Sequence, residues 1–352
     1  MDADYRTGYF RYFTRDDNHS RQQSAWFWSF YWVSSLNAQL RPGTDIYRTP
    51  HAPPGAYCSL LIYSRRFTLK KVAVITDSVA CITREQAQQY GIGIIPINIL
   101  FEGKVYRDWV DISPNEAYQL FLKNPDAFAT SAPAPGEFLA AYKRAAARAE
   151  SILCIDVSAK ISSTYNVALI SKEYAAKEIP GLKIEVMDSL TAAASEGMIA
   201  LAAARAADAG ADLEQVVKVA QDVRDRIKIY VLLDTMKHVY RSGRIPKIAA
   251  QAGTALNIRP LFSVGVKVHP VGIVRSRERG IELMFEKMRA RIGTSPINAA
   301  VMHAYALDAA IELKDRVAKE FNCRDLWLTE FSPVMGYACG TGTLGVAFYN
   351  EA

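Results

Sequence analysis

Apolar runs and helix-period segments alternate along the chain from Lys71 onwards. Short runs rich in branched residues predict buried strands, because a strand covered on both faces needs apolar side chains at successive positions. The strands are predicted at 72–75, 92–101, 152–157 and 184–187, and the helices at 83–90, 113–122, 135–149, 167–176, 192–209 and 213–227. This alternation indicates an α/β domain with a parallel sheet over residues 71–228.

A different pattern begins at Ile229. Closely spaced strands are predicted at 229–233, 259–264, 266–271, 272–274, 298–303, 326–329 and 343–349, with helices at 277–291 and 307–321. Strands this close in sequence need antiparallel neighbours. The predicted fold class is therefore α/β with two domains, an N-terminal Rossmann-like parallel-sheet domain and a C-terminal α+β domain over residues 229–352.

Residues 1–66 differ in composition from the rest. They contain no Lys and no Glu, but they carry 14 of the 37 aromatic residues. They lack the basic start and the continuous apolar core of a signal peptide. Two interpretations remain: an aromatic-rich extension that is disordered or docks elsewhere, or translated sequence upstream of a true start near Leu69. The second is favoured, because this composition is unlike that of a folded domain.

Composition and charge exclude several classes of protein. Half of the 352 residues are apolar, and the formal net charge is +6. No apolar run approaches the ~20 residues of a membrane span, and no Lys/Arg block indicates a nucleic-acid arm. The five cysteines are scattered, without the spacing of a zinc site or a disulfide framework. We expect a soluble, cytoplasmic protein with no metal or other cofactor and no nucleic-acid partner.

Hydroxyl side chains gather where predicted strands lead into helices. Ser162, Ser163 and Thr164 follow the strand at 152–157, and Thr130 and Ser131 precede the helix at 135–149. Loops at the carboxyl ends of parallel strands share one edge of a sheet, where ligands of doubly wound folds bind. The free N–H groups of a helix start also favour an anion. These hydroxyls are candidate ligands of a carboxylate or phosphate, with helix capping as the alternative.

Charged and titratable residues give further candidates. His303 ends a predicted strand and is a candidate ligand, with a satisfied core or surface histidine as the alternative. Asp77 and Asp188, also at strand ends, are either general bases or caps. Guanidinium groups bind phosphates and acidic surfaces, although a solvated surface role is common. The candidates for such a contact are Arg241, Arg244, Arg259, Arg275 and Arg277.

Eight short motifs, in their order along residues 71–352, resemble the DegV family of bacterial fatty-acid-binding proteins. They are Thr76-Asp77-Ser78, Tyr106-Arg107-Asp108 with Asp111-Ile112, Thr130-Ser131-Ala132-Pro133, Ser162-Ser163-Thr164-Tyr165, Asp188-Ser189, Arg241-Ser242-Gly243-Arg244-Ile245, Asn257-Ile258-Arg259-Pro260 and Gly340-Thr341-Gly342-Thr343-Leu344-Gly345. The resemblance implies a fatty acid in a tunnel near the domain junction, with its carboxylate at the Thr-Ser and Ser-Ser-Thr segments. Some members of that family present the acyl chain to a separate kinase that makes acyl phosphate.

The chain departs from the family's pattern in three places. Ser163 and Ser242 stand where the family usually has glycine. Ala338 stands where the family usually has a histidine near the head group. Alanine cannot donate a hydrogen bond or move a proton, so we expect the last difference to affect phosphotransfer more than binding.

Three functions agree with these residues. The first is a fatty-acid-binding protein that holds a long-chain fatty acid and presents it to a kinase. The second is a lipid-sensing regulator that binds the same ligand without a kinase partner. The third is a hydrolase or transferase acting on a small carboxylate or phosphate, which would need a base beside Ser162 or Ser163. No base lies near these serines in the sequence, so a binding protein is favoured over an enzyme.

Overall fold

The computed structural model describes residues 69–236, 242–244 and 258–350. Within these residues the chain forms thirteen strands and nine α-helices. The strands are β1 (Lys70–Asp77), β2 (Gly93–Ile95), β3 (Asn98–Phe101), β4 (Lys104–Arg107), β5 (Phe128–Ser131), β6 (Ala149–Asp156), β7 (Lys183–Asp188), β8 (Lys228–Leu232), β9 (Arg259–Val264), β10 (Val268–Val274), β11 (Ile297–His303), β12 (Cys323–Glu330) and β13 (Leu344–Asn350). The helices are α1 (Arg84–Tyr90), α2 (Pro114–Lys123), α3 (Pro135–Ala146), α4 (Thr164–Glu178), α5 (Ala194–Asp208), α6 (Leu213–Arg226), α7 (Arg277–Ile292), α8 (Leu307–Glu320) and α9 (Pro333–Cys339). The segment at 1–66 lies outside the described residues.

Four strands form a parallel sheet in the order β2-β1-β6-β7. Side chains on one face of β1 and β6 pack with α3 and α4. Side chains on the other face pack with α5 and α6. Because both faces are covered, the central strands are almost wholly apolar. The Rossmann-like parallel-sheet domain predicted from the sequence is confirmed.

The single strand predicted at 92–101 is wrong, because the structure has two strands there. Pro96 lies between β2 and β3, and a proline has no N–H for a continuous ladder. β3 leaves the parallel sheet and pairs antiparallel with β4 and β5 in a separate three-stranded sheet. Thr130 and Ser131 therefore belong to strand β5 and not to a loop, since they pair with Ile99 and Asn98.

Six strands form the second sheet, in the order β10-β9-β8-β13-β11-β12. Its pairings are antiparallel as expected, except that β11 and β12 are parallel and connected through α8. The strands predicted at 266–271 and 272–274 form one strand, β10, with a register shift between Pro270 and Gly272. Helices α7 and α8 pack on one face of this mixed sheet. Sheet and helices form the C-terminal α+β domain.

Capping residues mark several helix starts. Thr83 and Ser113 begin α1 and α2, and each forms a reciprocal capping box with the third helical residue. Helix α9 begins in a similar way, because Ser332 accepts the N–H of Val334 and Pro333 follows the cap. The sequence prediction had missed α9. None of the helices in the described part of the chain is long and apolar enough to cross a bilayer.

Hydrogen bonds connect the C-terminal segment around β12 and α9 with Asp108, which follows β4, and with Tyr118 of α2. Ser332 Oγ donates to Asp108 Oδ2 (2.6 Å), and Tyr118 OH donates to the carbonyl of Phe331 (2.8 Å). One apolar cluster also contains side chains of both large sheets. The two domains therefore share a core, and the limits 71–228 and 229–352 stay a prediction.

Candidate functional site

The segment Ser158–Ser163, named here the serine loop, connects β6 to α4. Two aspartates at the ends of neighbouring strands hold its start. Asp77 Oδ2 accepts the N–H of Val157 (2.9 Å), and both carboxylate oxygens of Asp188 accept the N–H of Ala159 (3.3 Å each). Asp77 and Asp188 thus position the backbone of the loop. Asp77 also caps the short 3₁₀ helix Ser78–Ala80, because its Oδ1 accepts the N–H of Val79 (2.8 Å), so the capping interpretation holds for Asp77.

The end of the serine loop carries three neighbouring hydroxyls. Ser162 Oγ and Thr164 Oγ1 lie 2.8 Å apart, and the N–H of Thr164 donates to Ser162 Oγ (3.3 Å). Ser163 is the N-cap residue of α4, but its side chain accepts no capping hydrogen bond and is exposed. The Ser162 hydroxyl thus accepts one N–H at the start of α4, whereas the Ser163 side chain does not cap the helix.

The second hydroxyl pair lies in strand β5, which pairs with β3. Thr130 is half-buried and Ser131 is exposed in β5. Ser131 pairs with Asn98, and the neighbouring Ile97 belongs to the same apolar cluster as Ile161 of the serine loop. The link between the two hydroxyl segments is therefore indirect, through Ile97, which precedes the paired residue Asn98.

An apolar cleft lies between the serine loop, the mixed sheet and α9. It contains about 560 Å³ of space, counting its opening to solvent, but the cavity that would accept water molecules is only about 40 Å³. Apart from one arginine, Arg244, every residue of its walls is apolar: Ile161, Ala192, Ala193, Ile229, Val231, Leu233, Phe262, Val264, Val268, Phe331, Met335, Ala338 and Cys339. Such a narrow, dry space suits a hydrocarbon chain.

Arg244 supplies the cationic group at the wall of this cleft. Its Nε donates to the carbonyl of Ile161 (3.2 Å), the residue directly before Ser162, and its Nη1 donates to the carbonyl of Ser242 (3.5 Å). The stem of the side chain lines apolar surface while the guanidinium sits beside the serine loop. A positive charge therefore lies at the cleft wall beside Ile161, the residue that leads into the three hydroxyls.

His303 lies in a different cavity, of about 340 Å³, whose walls include Arg84, Trp109 and Glu330. Its Nδ1 accepts the N–H of Ala306 (3.3 Å), and burial lowers the pKa of its imidazole. The structure does not bring His303 to the walls of the apolar cleft. Its contacts favour the alternative of a satisfied, buried histidine, and its role as a ligand stays a prediction.

Three of the candidate arginines gather at one place on the mixed sheet. Arg259 Nε and Arg277 Nη2 both donate to Asp234 Oδ1 (3.0 Å each), and Arg259 Nη1 donates to the carbonyl of Arg275 (3.3 Å). Two arginines thus share one carboxylate, which leaves a net positive charge. Arg241 lies outside the described residues.

Two buried acids beside the serine loop were missed by sequence reasoning. The strand pairings bring Asp156 between Asp77 and Asp188, and Glu196 of α5 accepts the hydroxyl of Thr76 (3.0 Å). Burial raises the pKa of Asp77 to about 6 and the pKa values of Asp156 and Glu196 well above their usual range. The position of Asp156 at a strand end was a readable signal. Glu196 had none, because it lies within an Ala-rich helix.

No group of three His, Cys, Asp or Glu residues in the described ranges is arranged to hold a metal ion. The fold and the cleft define a two-domain α/β protein whose apolar cleft has a guanidinium in its wall and a run of hydroxyls that begins directly after the wall residue Ile161. Such a site is suited to bind a ligand with a long apolar body and an anionic head.

Comparison with known proteins identifies the family. The family model described as "Uncharacterised protein, DegV family" matches residues 71–351, and the chain belongs to this family. A DegV domain-containing protein of Mycobacterium tuberculosis is 33% identical over 282 residues, covering 78% of this chain and 96% of that protein. One of Streptomyces coelicolor is 31% identical over 280 residues, covering 79% and 98%. The family resemblance seen in the sequence motifs is confirmed.

Solved structures show the same fold. A structure described as showing fatty acid binding of a DegV family protein from Thermus thermophilus is 27% identical, has a TM-score of 0.73 and covers 80% of this chain and 100% of its own. A stearic acid-binding protein from Eubacterium ventriosum has a TM-score of 0.74 at 19% identity, covering 79% and 98%, and at this identity it supports the fold alone.

Proposed function

We propose that this protein binds one long-chain fatty acid, with the hydrocarbon tail in the apolar cleft and the carboxylate at the serine loop. One observation carries the proposal: Ile161 forms part of the cleft wall, and the next residue, Ser162, begins the run of hydroxyls. The fatty acid binding reported for the Thermus thermophilus relative supports the same assignment.

The tail supplies most of the affinity in this proposal. Each methylene that leaves water for an apolar environment contributes about 0.8 kcal/mol. The cleft is narrow, so an acyl chain has to part its walls, and the flexible side chain of Met335 is suited to yield. A tail that fills the cleft therefore gains contact on every side.

The head group meets neutral donors and one cation. Ser162, Ser163 and Thr164 offer hydroxyls, and the first N–H groups of α4 lack helical partners. Arg244 adds a guanidinium held against the same loop. Thr130 and Ser131 of β5 complete the proposed contact with the carboxylate.

We further propose that the protein presents the acyl chain to a separate kinase. We also propose that it is located in the cytoplasm, where ATP is available. The arginines that share Asp234 leave positive charge for a phosphate or an acidic partner. Ala338 favours the second candidate, a lipid-sensing regulator, because the cleft wall there is apolar and holds no group that moves a proton. The hydrolase alternative finds no support in Ser162, whose hydroxyl bonds Thr164 rather than a base.

Lipid extraction tests the proposal directly. The protein is purified from a bacterial host, denatured and extracted, and the extract is analysed by mass spectrometry beside one from a host lacking the protein. We expect close to one long-chain fatty acid per chain, and saturable uptake of added palmitate after delipidation. No stoichiometric acyl species together with no uptake of palmitate would refute the function.

A further inference from the structure

The cavity of about 340 Å³ that contains His303 shares no wall residue with the apolar cleft. Its walls come from two distant parts of the chain. The first part follows β1 and β4, and the second comprises the ends of β11 and β12 with the start of α8. The wall residues are Ser78, Cys81, Ile82, Thr83, Arg84, Trp109, Pro114, His303, Leu307, Leu328, Thr329, Glu330 and Ser332. A cavity of this size, with apolar walls and a few polar groups, is typical of a small-molecule site.

Two side chains of opposite charge line this cavity without pairing. Arg84 Nη2 donates to the carbonyl of Trp109 (2.8 Å), and its Cζ lies 4.8 Å from the centre of the Trp109 ring. The guanidinium forms no ion pair with a described residue. Glu330 is half-buried, and its carboxyl has neither a hydrogen bond nor an ion pair in the part of the chain that the structure describes. Most N–H groups of the guanidinium and both carboxyl oxygens can therefore bind a ligand.

The imidazole of His303 adds a hydrogen-bond donor beside Glu330. His303 and Glu330 are paired in the register of β11 and β12, so their side chains leave the sheet on the same face. Nδ1 of the imidazole accepts the N–H of Ala306 (3.3 Å), and the proton of the neutral ring is therefore on Nε2. This Nε2–H group has no partner among the described residues, so it is a further donor for a ligand.

The backbone around the cavity contains strained positions. Cys81 and Trp109 line the cavity, Tyr305 follows the wall residue His303 by two positions, and all three have positive φ (50°, 73° and 52°). They are three of the six non-glycine residues with positive φ in the described ranges. The hydroxyl of Thr329 donates to the carbonyl of Cys81 (2.6 Å) and so fixes one of them from the other side of the cavity. Strain of this kind concentrates at binding sites.

We propose that this cavity binds a small zwitterion with an apolar body, of the chemical class of the aliphatic amino acids. The ammonium group of the ligand pairs with the carboxylate of Glu330, and its carboxylate accepts hydrogen bonds from Arg84 and from Nε2 of His303. The apolar body contacts the aliphatic wall residues Ile82, Leu307 and Leu328. A ligand with a single charge leaves one of the two protein charges unpaired, whereas a zwitterion satisfies both. The site goes beyond the proposed fatty-acid function and does not depend on it.

The carboxyl of Glu330 is better suited to a bound cation than to its protein surroundings. Burial without a cationic partner raises the pKa of Glu330 to about 7. An ammonium group in contact with this carboxyl favours the ionised form and offsets the desolvation. A carboxyl that disfavours its own charge in the protein alone is a feature of binding sites, where stability is given up for function.

Calorimetric titration of the full chain with two zwitterions tests the proposal. L-leucine carries both charges on one carbon atom, and ε-aminocaproate carries them at the two ends of an apolar chain, so the pair covers short and long charge separations. Palmitate is present throughout to occupy the apolar cleft, and the titrations are run at about pH 8, above the pKa of Glu330. The single-charge analogues are isocaproate and isoamylamine for leucine, and caproate and pentylamine for ε-aminocaproate. We expect at least one zwitterion to bind, and its analogues to bind at least about tenfold more weakly.

Two substitutions locate the ligand. Arg84→Gln and Glu330→Gln each remove one charge with little change in size, and each should weaken zwitterion binding at least about tenfold. Arg205→Gln is the matched control, because Arg205 also lies over an aromatic ring, that of Tyr90 (5.5 Å), but does not line the cavity. It should bind the zwitterions as the unchanged protein does. Thermal melting checks that each variant is folded.

Three results would overturn the inference. The first is no heat of binding with either zwitterion up to about 10 mM. The second is unchanged binding by folded Arg84→Gln and Glu330→Gln variants, which would place the ligand elsewhere. The third is equal binding of a zwitterion and one of its single-charge analogues, which would show that the cavity does not recognise two charges. None of these results depends on whether the protein binds palmitate, so the proposed function is tested separately.

Discussion

A larger side chain in the wall of the apolar cleft should reduce the space available for the fatty-acid tail. Ala192 is completely buried, lines the cleft and lies between the serine loop and the start of α5. Leucine at this position adds three carbon atoms, which occupy the cavity of about 40 Å³. If each displaces one methylene of the ligand, Ala192→Leu weakens palmitate binding by about 2.4 kcal/mol, roughly fiftyfold.

The assay compares palmitate with a shorter fatty acid, decanoate, by calorimetry. A shorter tail leaves part of the cleft unused, so we expect the substitution to weaken decanoate much less than palmitate. Ala204→Leu is the matched control, because Ala204 is also buried in the core but does not line the cleft. It should lower the melting temperature through overpacking and leave both affinities unchanged. Unchanged palmitate affinity in a folded Ala192→Leu variant would refute the position of the tail.

Three further outcomes are expected. The double variant Thr130→Ala and Ser162→Ala should bind palmitate about 1–3 kcal/mol more weakly in calorimetry, because donors to a charged group are removed. Unchanged affinity would show that both hydroxyls have structural roles and do not bind the carboxylate. Ala338→His should increase acyl-phosphate formation with a cognate kinase and ATP, and efficient turnover by the unchanged chain without such a gain would show that the position is dispensable. Burial raises the pKa of Glu330 from 4.5 to about 7, so the folded state keeps this proton where the unfolded chain has released it. The associated stability is present below about pH 4.5 and is lost as the pH rises through about 7, so Glu330→Gln should gain about 1 kcal/mol over the unchanged protein between pH 5 and pH 8, allowing for partial exposure. Equal pH dependence of the two unfolding free energies would contradict this.

The parallel sheet was readable from the sequence because its strands are buried on both faces. The apolar residues at 152–157 predicted β6, and the polar residues that follow predicted the serine loop. Pro96 was the available signal for the break between β2 and β3, and Ser332-Pro333 was the signal for α9, as Ser113-Pro114 had been for α2. These misses were local features that the hydrophobic pattern alone does not report.

Other parts of the site depend on contacts between distant segments. The place of Thr130 in a strand follows from pairing with β3, and the antiparallel partner of a short strand is not encoded within that strand. Arg244 reaches the carbonyl of Ile161 across 83 positions of the chain. Glu196 accepts the hydroxyl of Thr76 because the first turn of α5 faces the end of β1, and a helix pattern does not say which strand end a given side chain will face. Sequence periodicity predicts the helices and strands, whereas these contacts between distant side chains depend on how the helices and strands pack.

The hydrogen bonds between the C-terminal segment and the first domain have a consequence for the order of folding during synthesis. Asp108 is completely buried and receives the hydroxyl of Ser332, which is 224 positions later in the chain, and Tyr118 OH reaches Phe331 across 213 positions. A ribosome therefore adds 224 residues after Asp108, and 213 after Tyr118, before these two polar groups meet these partners. The final closure of the parallel-sheet domain around Asp108 is thus a late step coupled to the arrival of β12 and α9.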